Sequence, residues 1–138
     1  FLTGRSEQLP AQSVKRLIVC GGTFTPGRLA DSSHDQPVAA GAAAKAMFKE
    51  ADLMLSELSS AMPVEVMPGR GDPTNMSLPQ MPLHPHLFKK VRECRDFKSV
   101  SNPHECSLEG FRVLGHSGQP VEDLLRCTDI GSPLEALA

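Results

Sequence analysis

Two short apolar runs, each emptying into a glycine-containing loop, bracket one long amphipathic segment, and this pattern constrains the fold of the chain more than any other feature. The first run is Val14-Lys15-Arg16-Leu17-Ile18-Val19-Cys20, followed at once by Gly21-Gly22. A β-branched stretch of this length ending in glycines reads as a buried strand and a tight loop. The second run is Pro63-Val64-Glu65-Val66-Met67, followed by Pro68-Gly69. Between them, Ala44, Met47, Phe48, Ala51, Leu55, Leu58 and Met62 recur at helical spacing, with Lys45, Lys49, Glu50 and Glu57 mostly on the other side. That segment predicts a helix from Pro37 to Met62, with Pro37 near its start and Pro63 past its end. Strand, helix, strand is a βαβ unit, which requires parallel strands and a right-handed crossover. The fold class that follows is α/β, with a mixed, largely parallel sheet and flanking helices.

The remaining chain adds smaller elements. Residues 1–15 read as a polar lead-in, and residues 23–37 and 68–86 as loops rich in Pro, Gly, Asp and Ser. A short helix is expected from His86 to Arg95 and a strand from Phe97 to Ser101. Glu109-Gly110 between apolar runs signals a hairpin across Glu105 to Leu114. Gly115 to Gly118 is a turn. A helix then starts near Pro120, with Glu122 and Asp123 in its first turn.

In parallel α/β sheets, ligands sit beyond the carboxyl ends of the strands. A site in this chain is therefore expected where Gly21-Gly22 and Gly69-Arg70-Gly71-Asp72 come together. Composition narrows the chemistry. The 138 residues suit one domain or part of one, and 40% of them are apolar, enough for a core. The net charge of -2 gives no basic bias, so contact with DNA is expected to be indirect or shared with a partner. There is no Trp or Tyr, and six Phe are the only candidates for stacking on single strands. No apolar run approaches the roughly 20 residues of a membrane span. Cys20, Cys94, Cys106 and Cys127 form no CxxC pair. They read as the reduced thiols of an intracellular protein. Three short matches read as chance: Arg70-Gly71-Asp72 as an integrin-type tripeptide, Asn75-Met76-Ser77 as a glycosylation sequon, and Gly21-Gly22-Thr23 as a phosphate loop lacking its Gly-Lys-Ser/Thr.

One long stretch is more specific. Val64-Glu65-Val66-Met67-Pro68-Gly69-Arg70-Gly71-Asp72-Pro73-Thr74-Asn75, then Leu78-Pro79-Gln80-Met81-Pro82-Leu83-His84-Pro85, resembles the small accessory (B-type) component family of replicative DNA polymerases, delta type. Ser101-Asn102-Pro103 and Gly110 to Gln119 resemble its later segments. The resemblance is strongest over residues 63–125. It implies a calcineurin-like metallophosphoesterase fold, of which residues 1–138 would be the middle portion. The family's OB domain and the first and last strands of its sheet are not visible in this sequence.

Active phosphoesterases of that fold hold two metal ions about 3.5–4 Å apart, using Asp, Asn and His side chains at strand ends. By the resemblance, Gly22 stands where a bridging carboxylate would be, Arg70 where a metal-binding Asn would be, and Gly71 where a His would be. Asp72 alone keeps a carboxylate. His116 lies near a position that carries His in active relatives. The expected site is degenerate, with no catalytic residue, no cofactor and no metal, since one carboxylate beside a guanidinium does not hold two cations. His84 and His86, flanking Pro85, read as structural, and His34 and His104 as solvated loop residues.

The function implied is that of a non-catalytic scaffold in the nucleus. It would bind the cysteine-rich C-terminal module of a polymerase catalytic subunit and a third accessory subunit, touching DNA only through the complex. The Pro-rich loop, with Pro73, Thr74, Asn75, Leu78, Pro79, Pro82, His84 and Pro85, is the candidate partner-facing element. An equal alternative has this loop merely closing the edge of the old site. The rival function is an active metal-dependent phosphodiesterase or nuclease built from Asp72, His84 and His116.

Overall fold

The computed structural model describes residues 14–24 and 37–127, with the side chains of 37–43 excepted. The polar lead-in before residue 14, His34 and the chain after Cys127 lie outside these residues. Strand β1 (Leu17–Cys20), helix α1 (Pro37–Ala61) and strand β2 (Val64–Met67) form the expected unit. Strand β3 (Phe97–Ser99) completes a three-stranded sheet of order β1-β2-β3. Both pairings are parallel, with Leu17 opposite Val64 and Val64 opposite Phe97. Strands β4 (His104–Leu108) and β5 (Phe111–Gly115) form a separate antiparallel hairpin, and helix α2 spans Gln119–Cys127. The mixture of strand directions is thus divided between two sheets.

Strand β2 is buried along its whole length, whereas β1 is only partly buried, contrary to expectation. The order of strands is the reason, since β2 is paired on both sides and β1 on one. Side chains alternate across a strand. Val64 and Val66 enter the core with Ala51 and Leu55 of α1, joined by Leu83, Phe88 and Val91. Leu55 has no exposed surface, a burial contributing about 1.5–3 kcal/mol. Glu65 and Met67 alternate with them and meet the hairpin instead. His104 lies 3.2 Å from Glu65, and a Cβ on Gly115 would stand 3.4 Å from the Met67 side chain. The molecule is therefore layered as helix, sheet and hairpin.

The aromatic residues serve the core. Phe24 packs against Phe48 and Phe88 with centroids 4.7 and 5.7 Å apart, and Phe88 meets Phe97 at 5.0 Å. These four rings are used internally, which removes them as platforms for nucleotide bases.

The expected helix over 86–95 does not form. Two short 3-10 turns, Pro85–Leu87 and Val91–Glu93, stand in its place. The cause lies in Asp52, a buried carboxylate on α1. It accepts the backbone N–H groups of Lys89, Lys90 and Val91 at 3.0–3.2 Å. Those donors point at α1 and not at carbonyls four residues back, so no α-helix propagates. The hairpin forms as read. Glu109 and Gly110 take φ of 50° and 86°, the left-handed pair that a two-residue hairpin turn requires.

Candidate functional site

The loops after β1 and β2 meet at the carboxyl edge of the sheet. The ladder continues one step past the strands, with the Gly21 N–H donating to the Met67 carbonyl at 2.9 Å. The two backbones then approach closely. A Cβ on Gly21 would lie 2.8 Å from the Gly69 Cα and 2.8 Å from the Ser117 Cβ. Only glycine fits there, and its φ of 79° also favours glycine.

Asp72 closes this junction. Its Oδ2 accepts the N–H of Gly22 at 2.9 Å and of Gly69 at 2.8 Å, and its Oδ1 accepts the N–H of Phe24 at 2.9 Å. The carboxylate is buried. It therefore acts as an internal tie between two loops about 50 residues apart in sequence. The burial also means that the Arg70-Gly71-Asp72 tripeptide does not present its carboxylate to solvent.

The other expected site positions scatter. Gly22 has no atom within 4 Å of where its Cβ would stand, and its φ is 72°. Arg70 turns toward α2, where it pairs with Glu122 at 3.1 Å and Asp123 at 3.4 Å. His116 is exposed, and its Nδ1 accepts the Gly118 N–H at 3.0 Å. His84 is exposed too. Its Nδ1 accepts the His86 N–H at 3.2 Å, and the two rings stack 4.9 Å apart. Among the described residues, Asp72, His84 and His116 form no shared ligand cluster.

Beside Asp72 lies a buried amide network that motif letters alone do not single out. Asn102 has no exposed surface. Its Nδ2 donates to Gln80 Oε1, Ser117 Oγ and Gln119 Oε1 at 2.7–2.9 Å, and its Oδ1 accepts the Ser117 N–H at 3.2 Å. Gln119 Nε2 donates to Gln80 Oε1 at 2.8 Å, and Ser117 Oγ contacts Gln119 Oε1. Gln80 Nε2 reaches the carbonyls of Asn75 and Gly69. The backbones of Gln80 and Asn102 also pair, at 2.7 and 3.1 Å. The signal in the sequence is that all four residues stand inside the Leu-Pro-Gln, Ser-Asn-Pro and Ser-Gly-Gln strings. The arrangement ties three distant segments over the same strand edge.

The Pro-rich loop is clamped from within by Asn75. Its Oδ1 accepts the Met81 N–H at 2.7 Å, and its Nδ2 donates to the carbonyls of Ser77 and Pro79 at 2.7 and 3.1 Å. Thr74 Oγ1 donates to the Met81 carbonyl at 2.8 Å. Leu83 anchors the loop in the core. Outward it exposes Pro73, Leu78, Pro79, Pro82, His84 and Pro85. Met76 is 93% exposed and Met81 65%. An open depression of about 630 Å³ separates this loop from Arg70 and Asp123.

A basic feature is invisible to a linear reading, because its charges lie some 40 residues apart in sequence. Lys45, Lys49, Lys89 and Lys90 rim a depression of about 760 Å³ floored by Phe48 and Leu87. No helix among the described residues is long and apolar enough to cross a membrane. The four cysteines are free.

Comparison with known proteins adds a family. The profile of the B-type accessory component of DNA polymerases alpha and epsilon matches residues 1–134. The DNA polymerase delta small subunit of Oryza sativa subsp. japonica is 36% identical over 140 residues, covering 97% of this chain and 31% of the relative. DNA polymerase delta subunit 2 of Drosophila melanogaster is 37% identical over 130 residues, covering 92% and 30%. The DNA polymerase delta small subunit of Arabidopsis thaliana is 33% identical, covering 97% and 30%. The chain thus spans about three-tenths of the length of these relatives.

Proposed function

The chain belongs to the family of B-type accessory components of DNA polymerases alpha and epsilon, and on that premise we propose that it works as a non-catalytic scaffold in a delta-type replicative polymerase. In this reading residues 1–138 are the central part of a calcineurin-like phosphoesterase domain whose metal site is degenerate. The parallel βαβ unit and the loop junction at its carboxyl edge support that fold. The single observation that carries the loss of catalysis is the hydrogen bonding of Asp72. Its carboxylate is buried and occupied by three backbone N–H groups. Gly22, Arg70 and Gly71 supply no metal ligand beside it.

The same site serves assembly. Three tie points, Asp72, Asn102 and Asn75, rigidify the loops that an active enzyme would use to hold metal. Preordered surface loses little conformational entropy on binding. Met76, Leu78 and Met81 offer apolar contact on that rigid base. The partners are then the catalytic subunit, through its cysteine-rich C-terminal module, and a third accessory subunit, in the nucleus. DNA is reached through the complex.

The test is co-purification of the full-length protein with the catalytic subunit. Replacing Met76, Leu78 and Met81 together by Ser is expected to cut recovery of the complex at least tenfold while leaving the thermal transition of the free protein in place. Undiminished recovery would assign the loop the plainer role of closing the sheet edge. Manganese-dependent cleavage of a generic phosphodiester by the purified protein would revive the enzymatic alternative.

A further inference from the structure

Three metal-ligating side chains meet between sheet and hairpin, away from the loop junction at the carboxyl edge. Glu65, His104 and Cys106 each offer one ligand atom, and these atoms lie within 4.8 Å of one another. Glu65 projects from the hairpin-facing side of β2 and is buried. His104 and Cys106 stand two residues apart on β4, hence on the same face, and both are partly buried. The sequence alone places His104 in a solvated loop. The structure instead sets its Nε2 3.2 Å from Glu65 Oε2.

We propose that Glu65, His104 and Cys106 form a binding site for a zinc-class divalent cation that fastens the hairpin to the sheet. One thiolate, one imidazole and one carboxylate make a borderline-soft donor set. Magnesium and calcium favour all-oxygen sites, whereas this combination suits zinc. Tetrahedral zinc places its ligand atoms about 3.5 Å apart, given metal–ligand bonds of roughly 2.0–2.3 Å. Side-chain rotation closes the remaining gap.

Arg16 supplies the outer support. Its guanidinium holds Glu65 Oε1 at 2.9 Å, leaving Oε2 for His104 or for the cation. Such outer contacts orient a metal-binding carboxylate. The same guanidinium opposes the charge of the ion, so affinity falls below that of a closed four-ligand site. Binding displaces the Cys106 thiol proton to solvent and uses neutral His104 through Nε2, so the affinity rises with pH.

The test uses the purified full-length chain, stripped with chelator and titrated with cobalt(II) as a spectroscopic stand-in. One equivalent is expected to give a thiolate-to-cobalt charge-transfer band that zinc abolishes. Cys106→Ser removes the band, and His104→Gln weakens binding at least tenfold. Cys20→Ser, Cys94→Ser and Cys127→Ser leave the band unchanged. Zinc is also expected to raise the melting temperature of the natural protein but not of Cys106→Ser. No cobalt band in the natural protein, or a band that survives Cys106→Ser, overturns the proposal. Should Cys106→Ser fail to fold, His104→Gln decides: retention of full cobalt affinity by that variant refutes the site.

Discussion

Asp72 takes a hydrogen bond from the backbone of Gly22, its Oδ2 lying 2.9 Å from the Gly22 nitrogen, so the two positions that would share a metal in an active phosphoesterase are joined directly. The carboxylate that survives in the sequence is thereby a structural acceptor, with Gly69 and Phe24 as further donors.

Removal of that carboxylate should unfold the loop junction before it reveals anything about metal. Asp72→Ala strands three backbone donors, each worth about 1–3 kcal/mol when left unpaired. A loss of about 3–5 kcal/mol is expected, with Asp72→Asn losing less because one oxygen remains. Denaturant unfolding of the two variants measures this. A change below roughly 1 kcal/mol for Asp72→Ala would contradict the tie.

Gly21 and Gly22 should respond differently to the same methyl group. Both have positive φ, and an Ala in that region costs about 1–2 kcal/mol. Gly21→Ala adds a clash with the Gly69 backbone, whereas Gly22→Ala meets open space. Thermal melts should show a small shift for Gly22→Ala and a severalfold larger one for Gly21→Ala.

The amide network predicts that a near-isosteric change is harmful. Asn102→Asp puts an acceptor where Nδ2 now donates to Gln80 and Gln119. Unpaired buried polar atoms and an added charge should cost about 3 kcal/mol or more. Equal stability of the natural protein and Asn102→Asp in urea would show that the network carries little.

Asp52 should govern one local segment. In Asp52→Ala, the amides of Lys89, Lys90 and Val91 lose their acceptor. Hydrogen exchange there should accelerate roughly tenfold or more, since local opening governs protection. Amides of β2, paired on both sides, should change least.

How much was legible beforehand divides along the chain. Apolar spacing located α1, β1, β2 and the hairpin because periodicity is a local property of sequence. The helix expected over 86–95 failed because its donors were claimed by Asp52, a residue 37 positions earlier. The degenerate positions Gly22, Arg70 and Gly71 could be named from motif letters alone. Where their neighbours point could not.

The sequence by itself determined the parallel α/β unit, the turn at Glu109-Gly110, and the absence of metal-binding side chains at three expected positions. Only the tertiary structure decided that Asp72 is a tie, that Asn102 gathers Gln80, Ser117 and Gln119, and that Glu65 meets His104 and Cys106. The physical reason is common to all three. A buried polar group must find partners, and those partners are selected by proximity in the folded chain, which periodicity and motif spacing do not encode.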